Sequence, residues 1–472
     1  MEDLYQFDQE HRDHISTVDA KGKRVWVFPK KPKGRYHTYR AIVAVILLIL
    51  LFAGPFIKVD GHPFILLNII DRRFIIFGTP FWPQDFHLFV LAFISLVLFI
   101  ILFTVIYGRV WCGWACPQTI FMEMVFRKIE YWIEGDANKQ RKLDKMPWNS
   151  EKIFKKGLKQ VIFFLIALVI SHLFMAYIIG VDQVVEIVTQ SPMNHLAGFG
   201  GLMLFTFLFY LVFTNLREQV CIALCPYGRL QGVFVGKNTI AVMYDWLRGE
   251  PRGRIRKHKK EQEAEKGDCI DCKMCVHVCP TGIDIRNGTQ LECVNCTACM
   301  DACDDVMDKV NRPKGLIRLA SYESIKEGVK NLFTTRVIGY SVVLIFLVAL
   351  QAYLLTTRDP VETTVVRVPG MLYQEQENNR ISNLYNIQFV NKTFEDITLD
   401  IRLKDLDEGE IKRVGGEPLN VPSNENLKGV FFIELPKSVL KKTKTNLVLE
   451  VLANGEVIDE VKTNFLGPIV LE

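Results

Sequence analysis

"CIDCKMCVHVCP" places Cys269, Cys272, Cys275 and Cys279 in a Cys-x2-Cys-x2-Cys-x3-Cys run, and "CVNCTACMDAC" repeats it at Cys293, Cys296, Cys299 and Cys303. Three thiolates separated by two residues each wrap one iron-sulfur cube, while the fourth, a turn further on, reaches the other cube. The spacing therefore assigns Cys269, Cys272, Cys275 and Cys303 to one 4Fe-4S cluster, and Cys293, Cys296, Cys299 and Cys279 to a second. A structural zinc module is the competing reading. It uses two Cys-x2-Cys pairs on a longer spacer and has no need of a third and fourth thiol in each run. Pro280 follows Cys279 whereas Asp304 follows Cys303, without changing the ligand count. Two cubes side by side make a path for electrons and not a reaction site.

Four further thiols stand in a second pattern. "WCGWACPQT" carries Cys112 and Cys116, "VCIALCPYG" carries Cys221 and Cys225, and each follows an apolar run and an arginine, Arg109 or Arg217. Residues at i and i+4 share one helix face. Pro117 and Pro226 favour an extended preceding residue and a fresh helix start. Each pair is expected at a break near the membrane boundary, and the duplication suggests two elements that face each other and bring four thiols together. The arginines and the following helix starts are expected to favour thiolate. Thiolates are soft ligands that select Cu(I), which makes Cys112, Cys116, Cys221 and Cys225 candidate catalytic, redox and copper-binding residues. Small apolar packing and a redox disulfide are the other readings. His172 and His195 lie in or near apolar runs, but no second histidine stands at helical spacing on either, so both read as satisfied or interfacial. "GFGG" at 198–201 reads as close helix packing.

The elements that position these residues follow from composition. The chain has 472 residues, 49% of them hydrophobic, which suggests two or three domains and a membrane protein. Its twelve cysteines all lie between Cys112 and Cys303, a pattern of metal chemistry and not of a secreted disulfide scaffold. The net charge of +5 collects in blocks beside apolar runs, which argues against nucleic acid. Five segments, 41–57, 86–107, 161–179, 196–214 and 337–355, read as spans of the bilayer. No cleavable signal peptide is expected, the first span itself directing insertion. Lys and Arg collect before span one, between spans two and three, and after span four in "RGRIRKHKK", so these regions are expected in the cytoplasm and the carboxyl terminus outside. That basic stretch reads as solvated or lipid-facing. Residues 60–86 read as an interfacial segment with an aromatic belt, since Asp71, Arg72 and Arg73 interrupt it. After span five, short alternating runs such as "LYNIQFVNKT" suggest an immunoglobulin-like β-sandwich without Cys or His.

The expected organisation is a multi-domain membrane protein: a cytoplasmic segment at 1–40, a four-span α-helical bundle at 41–235, and a bacterial-type double 4Fe-4S ferredoxin region at 236–320 with its core at 265–310. A fifth span at 335–356 and an extracytoplasmic immunoglobulin-like β-sandwich at 360–472 complete it. The order of "WCGWACPQT", "CIALCPYGR", "CMDACDDVMDKVNRPKGLIR" and "LYNIQFVNKT" resembles the CcoG family, also called FixG or RdxA, over nearly the whole chain. The resemblance implies an accessory protein of cbb-type cytochrome c oxidase in the bacterial inner membrane, which reduces Cu(II) to Cu(I) with two 4Fe-4S clusters. Implied partners are the oxidase subunits or a copper exporter or chaperone, beside the lipid bilayer and an electron donor that the sequence does not name. Alternatives are a quinol-linked electron-transfer subunit and an assembly scaffold with redox-sensing clusters. The oligomeric state, a homo-oligomer included, is left open.

Overall fold

The computed structural model describes residues 17–18, 21, 23–69, 72–254, 266–329, 331–370, 372–404, 406, 408–415, 419–440, 442–453 and 455–468. Asp71 and most of "RGRIRKHKK" lie outside the described residues. Five described helices are long and apolar enough to cross a membrane: α1 (Arg35–Phe56), α2 (Pro83–Tyr107), α3 (Ser150–Ile179), α4 (Leu196–Leu216) and α5 (Thr335–Thr356). Helix α3 begins well before residue 161. The Asn149 side chain accepts from the Lys152 N–H at 2.9 Å and caps it. Its first turns carry Lys152, Lys155, Lys156 and Lys159, whose polarity masks a helix read by hydropathy alone. Helix α2 ends at Gly108, whose φ of +55° favours glycine.

The chain divides into two compact units. The first comprises residues 1–66 and 90–349. In it an aromatic seam joins the helices: Phe126 stacks on Phe213 of α4 at 4.6 Å and meets Phe163 of α3 edge-on at 4.7 Å. Among the glycines of "GFGG", Gly198 packs against Ile187, but Gly200 and Gly201 face open space, so the close-packing expectation holds at one position only. The ferredoxin-like region is closed by the antiparallel pair Ala241–Tyr244 and Ile317–Ala320, over a core that includes Val242, Ile283, Ile285, Met300, Met307 and Leu316.

The second unit comprises residues 67–89 and 350–472. Here two antiparallel sheets form an immunoglobulin-like sandwich. One runs Glu410–Arg413, Asn426–Pro436, Arg380–Asn391, Val361–Arg367; the other runs Leu419–Val421, Ile397–Leu403, Lys444–Ala453, Glu456–Leu466. Period-two alternation along "YNIQF" turns Tyr385, Ile387 and Phe389 into the core. Tyr385 also donates its hydroxyl to the Asn464 carbonyl in the other sheet at 2.9 Å.

Residues 60–86, read as an outer-surface or interfacial segment and not as a span, are tied to the sandwich. Arg73–Ile76 and Thr79–Phe81 pair as a hairpin, and the segment docks on the sandwich. Ile75 and Trp82 are buried, and the Trp82 indole donates to Asn424 at 3.1 Å. Asp85, also buried, accepts from Lys392 at 2.7 Å and Arg358 at 2.6 Å. Two cations held by one carboxylate fix the hairpin to the sandwich.

Candidate functional site: two thiol cradles and two thiol elbows

One cavity is bordered by Cys269, Cys272, Cys275 and Cys303, and a neighbouring one by Cys279, Cys293, Cys296 and Cys299, with Cys275 touching both. Each run thus sends its last thiol to the other run's cradle. The backbone is duplicated with it. Asp271 and Lys273 flank Cys272, Asn295 and Thr297 flank Cys296, and all four have positive φ. Non-glycine residues in that region cost about 1 kcal/mol or more each, and they turn successive N–H groups toward an anion. Backbone N–H groups of Asn295 and Ala298 face the sulfurs of Cys293 and Cys296.

Burial pushes the Cys275, Cys293 and Cys303 thiols up to about 12, so ionising them needs the positive charge of bound metal. Among the described residues, no three Cys, His, Asp or Glu side chains converge closely enough for a single ion. The thiols border two neighbouring spaces, four to each, with Cys275 shared, a donor set that fits two 4Fe-4S clusters. Cys269, Cys272, Cys275 and Cys303 would hold one cube, and Cys293, Cys296, Cys299 and Cys279 the other. Arg286 braces the first cradle through Asp271 at 2.7 Å and Asp284 at 2.6 Å.

The first thiol elbow lies against the second cradle, and the second elbow against the first elbow. Cys112 sits in the short helix Val110–Trp114, but Cys116 is extended and starts the helix Pro117–Ile120. Cys221 sits in a π-turn, Val220–Leu224, and Cys225 is extended before Pro226–Phe234. The prolines act as expected on the residues before them, and this takes the second thiol of each pair off the helix face on which i, i+4 spacing would stack it. Cys112 packs with Val294, Cys296 and Ala298 in one apolar cluster. A Cβ on Gly113 would lie 2.3 Å from the Val294 carbonyl oxygen and 3.0 Å from the Cys296 nitrogen. The Trp114 indole donates to the Asn295 carbonyl at 3.3 Å, and Arg40 donates to the Gly113 carbonyl at 2.6 Å. Sequence reasoning missed Gly113 and Trp114, although both stand inside the quoted motif.

Thr119 of the first elbow reaches Cys221 of the second at 4.0 Å, and Cys221 lies within electrostatic range of Cys116, Cys112 and Cys225. The four thiols are neighbours without converging on one ion.

At Cys112 and Cys221 the expectation of arginine-activated thiolates is corrected. Burial pushes Cys221 up to about 12. It also raises Cys112, where the nearby Arg109 offsets only part of the effect. Arg217 is engaged elsewhere, forking onto both oxygens of Glu130 at 2.8 and 2.9 Å. Glu130 belongs to a buried ion lattice. Arg127 contacts Glu123 at 3.1 Å and Glu218 at 3.7 Å, Arg24 contacts Glu218 at 2.9 Å, and Lys159 contacts Glu134 at 2.9 Å. Arg127 follows the first elbow and Glu218 precedes Cys221, so the lattice ties the two elbows together. His172 bonds the Leu168 carbonyl at 2.7 Å and His195 bonds Gln190 at 2.8 Å; both are satisfied locally.

Three family models match. One described as a 4Fe-4S dicluster domain covers residues 216–322, one described as a 4Fe-4S binding domain covers 89–139, and one described as the Ig-like fold at the C-terminus of FixG covers 351–468. Protein RdxA of Cereibacter sphaeroides is 32% identical over 79% of this chain and 81% of its own. Nitrogen fixation protein FixG of Rhizobium meliloti is 34% identical over 66% of this chain and 59% of its own. Protein RdxB of Cereibacter sphaeroides is 32% identical over 93% of this chain and 96% of its own. With that identity along both chains, five apolar helices and the duplicated thiol cradles, the chain belongs to the FixG/RdxA family, also called CcoG, of membrane-associated 4Fe-4S redox proteins.

Proposed function

We propose that the chain is a cupric reductase: it passes single electrons to Cu(II) at the elbow thiols, releasing Cu(I) for assembly of a cbb-type cytochrome c oxidase. The copper and the oxidase come from the resemblance to the family. The observation that carries the reading is the seating of Gly113 and Trp114 on the loop that bears Cys296, which sets the thiols of the first elbow against a cradle able to hold a one-electron cofactor. Bound clusters would supply one-electron storage. The chain's own residues do the rest. Cys112, Cys116, Cys221 and Cys225 offer soft sulfur to copper, and Gln231 hydrogen bonds Cys112 at 3.4 Å and orients it. The ion lattice fixes the spacing between the elbows. Each Cu(II) takes one electron and leaves as Cu(I) to an exporter, a chaperone or an oxidase subunit.

On the distribution of Lys and Arg, the ferredoxin-like region faces the cytoplasm of a bacterial inner membrane and the sandwich faces outside. The test uses purified full-length protein with intact clusters, reduced anaerobically and mixed with Cu(II), and follows Cu(I) with a colorimetric chelator. Wild type is expected to turn over, and Cys116→Ser with Cys225→Ser to lose at least about tenfold in rate. Equal rates in both proteins would remove the elbows from the reaction.

A further inference from the structure

A cavity of about 290 Å³ lies where the end of α2, the helix Pro226–Phe234, the strand Ala241–Tyr244 and the loop at 285–295 meet. Neither the clusters nor the elbow thiols occupy it. Its size suits a single ring system. Ala241, Val242 and Ile285 make it apolar, and Arg109, Gln290 and Asn295 give it polar groups. Arg109 is only 7% exposed and lies against the Cys112 thiol, yet it makes no ion pair among the described residues, and its Nε has no hydrogen-bond partner. A buried guanidinium without a carboxylate is costly unless an oxygen acceptor or anion joins it. Cys293, a thiol of the second cradle, lines the same cavity, so a molecule bound there lies against a cluster ligand.

The surface beside the cavity shows how such a molecule arrives. Leu291 lines the cavity and is 57% exposed, and Leu230 and Val233 flank the lining residue Gly232 at 58% and 75% exposure. This apolar patch sits next to the end of a membrane span, where an isoprenoid tail or lipid chains would cover it. A soluble flavin nucleotide would need cations for its phosphate, and Arg109 is the sole Lys or Arg among the lining residues.

We propose that this cavity binds the ring of a membrane quinol, with a ring oxygen accepting from Arg109 and the apolar wall against the ring face. This deepens the reductase reading and rests on it for the electron acceptor. The net reaction balances: one quinol and two Cu(II) give one quinone, two Cu(I) and two protons. Glu292, which also lines the cavity, is the base available to the released protons.

The test is copper-free photolabelling of the full chain in lipid nanodiscs with an azido-quinone, mapped by mass spectrometry, with iron and acid-labile sulfide measured on every sample. Label is expected in residues 285–295, displaced by a short-chain quinol and untouched by flavin mononucleotide. It is expected to fall about tenfold in Arg109→Gln and in Val235→Trp at full iron and sulfide content, the loss of one charged hydrogen bond or of the space itself. Label elsewhere, displacement by flavin or lipid but not by quinol, or unchanged label in both variants would overturn the assignment. Should both variants lose their clusters, displacement by quinol in wild type decides alone. Because no copper is present, failure of the reductase reading leaves this outcome standing.

Discussion

Gly113 has no room for a methyl group. Its Cβ position falls 2.3 Å from a backbone oxygen and 3.0 Å from a backbone nitrogen, neither of which can swing aside as a side chain would. Gly113→Ala is therefore expected to cost about 1–3 kcal/mol of stability, as overpacking does, and to slow Cu(II) reduction by lifting the elbow from the Cys296 loop. Thermal unfolding and copper kinetics at matched iron content check both effects. Trp114→Phe, which removes only the indole N–H, is expected to do less. At this scale the grouping of thiols around each cradle was legible, because cluster ligation follows local spacing. The chemistry of the elbow thiols was not. Arg217 stands four residues before Cys221 in sequence, but its fork is held by Glu130, and sequence distance says nothing of where a long side chain points.

Two elements depend on buried ion groups whose partners are remote in the chain. Asp85, at the start of α2, holds Arg358 and Lys392, which lie 273 and 307 residues away. No periodicity in residues 60–86 signals that docking, which is why the segment read as interfacial. Asp85→Ala leaves Arg358 without its carboxylate and Lys392 with Glu362 alone, at 2.7 Å, and is expected to destabilise the sandwich unit by about 3 kcal/mol, seen as a lower denaturant midpoint and faster proteolysis of residues 67–89. In the elbow lattice, burial tends to raise the Glu130 carboxyl, but Arg217, Lys159 and Arg127 more than offset this and hold it below its ordinary value of 4.5. A depressed carboxylate stabilises the fold fully above that ordinary value, and the contribution fades as pH falls below it. Glu130→Gln is thus expected to destabilise strongly at pH 7, with the gap to wild type narrowing below about pH 4.5. Thermal melts of both proteins across that range measure the gap. The breaks at Cys116 and Cys225 were legible from the prolines that follow them. The π-turn Val220–Leu224 before Cys225 was not, since π geometry comes from packing.

At the scale of the whole molecule, the count of spans decides where each part works. Five apolar helices were legible because hydrocarbon thickness sets their length, and residues 60–86 add no sixth, since they form a hairpin that docks on the sandwich. Among the described residues one span, α5, lies between the thiol cradles and the sandwich, and we propose that it puts them on opposite sides of the bilayer. The Lys- and Arg-rich segment before α1 and the loop between α2 and α3 support a cytoplasmic side for the cradles. This proposal is open to direct measurement. Ser438 is exposed on the sandwich, and Cys272 is the exposed thiol of the first cradle. In intact cells with a permeable outer envelope, a membrane-impermeant maleimide is expected to label Ser438→Cys at once, whereas Cys272 in cluster-free protein reacts only after lysis. Labelling of Ser438→Cys only after lysis would place the sandwich inside. The cradles and the sandwich would then share a compartment, and α5 would not cross the bilayer between them.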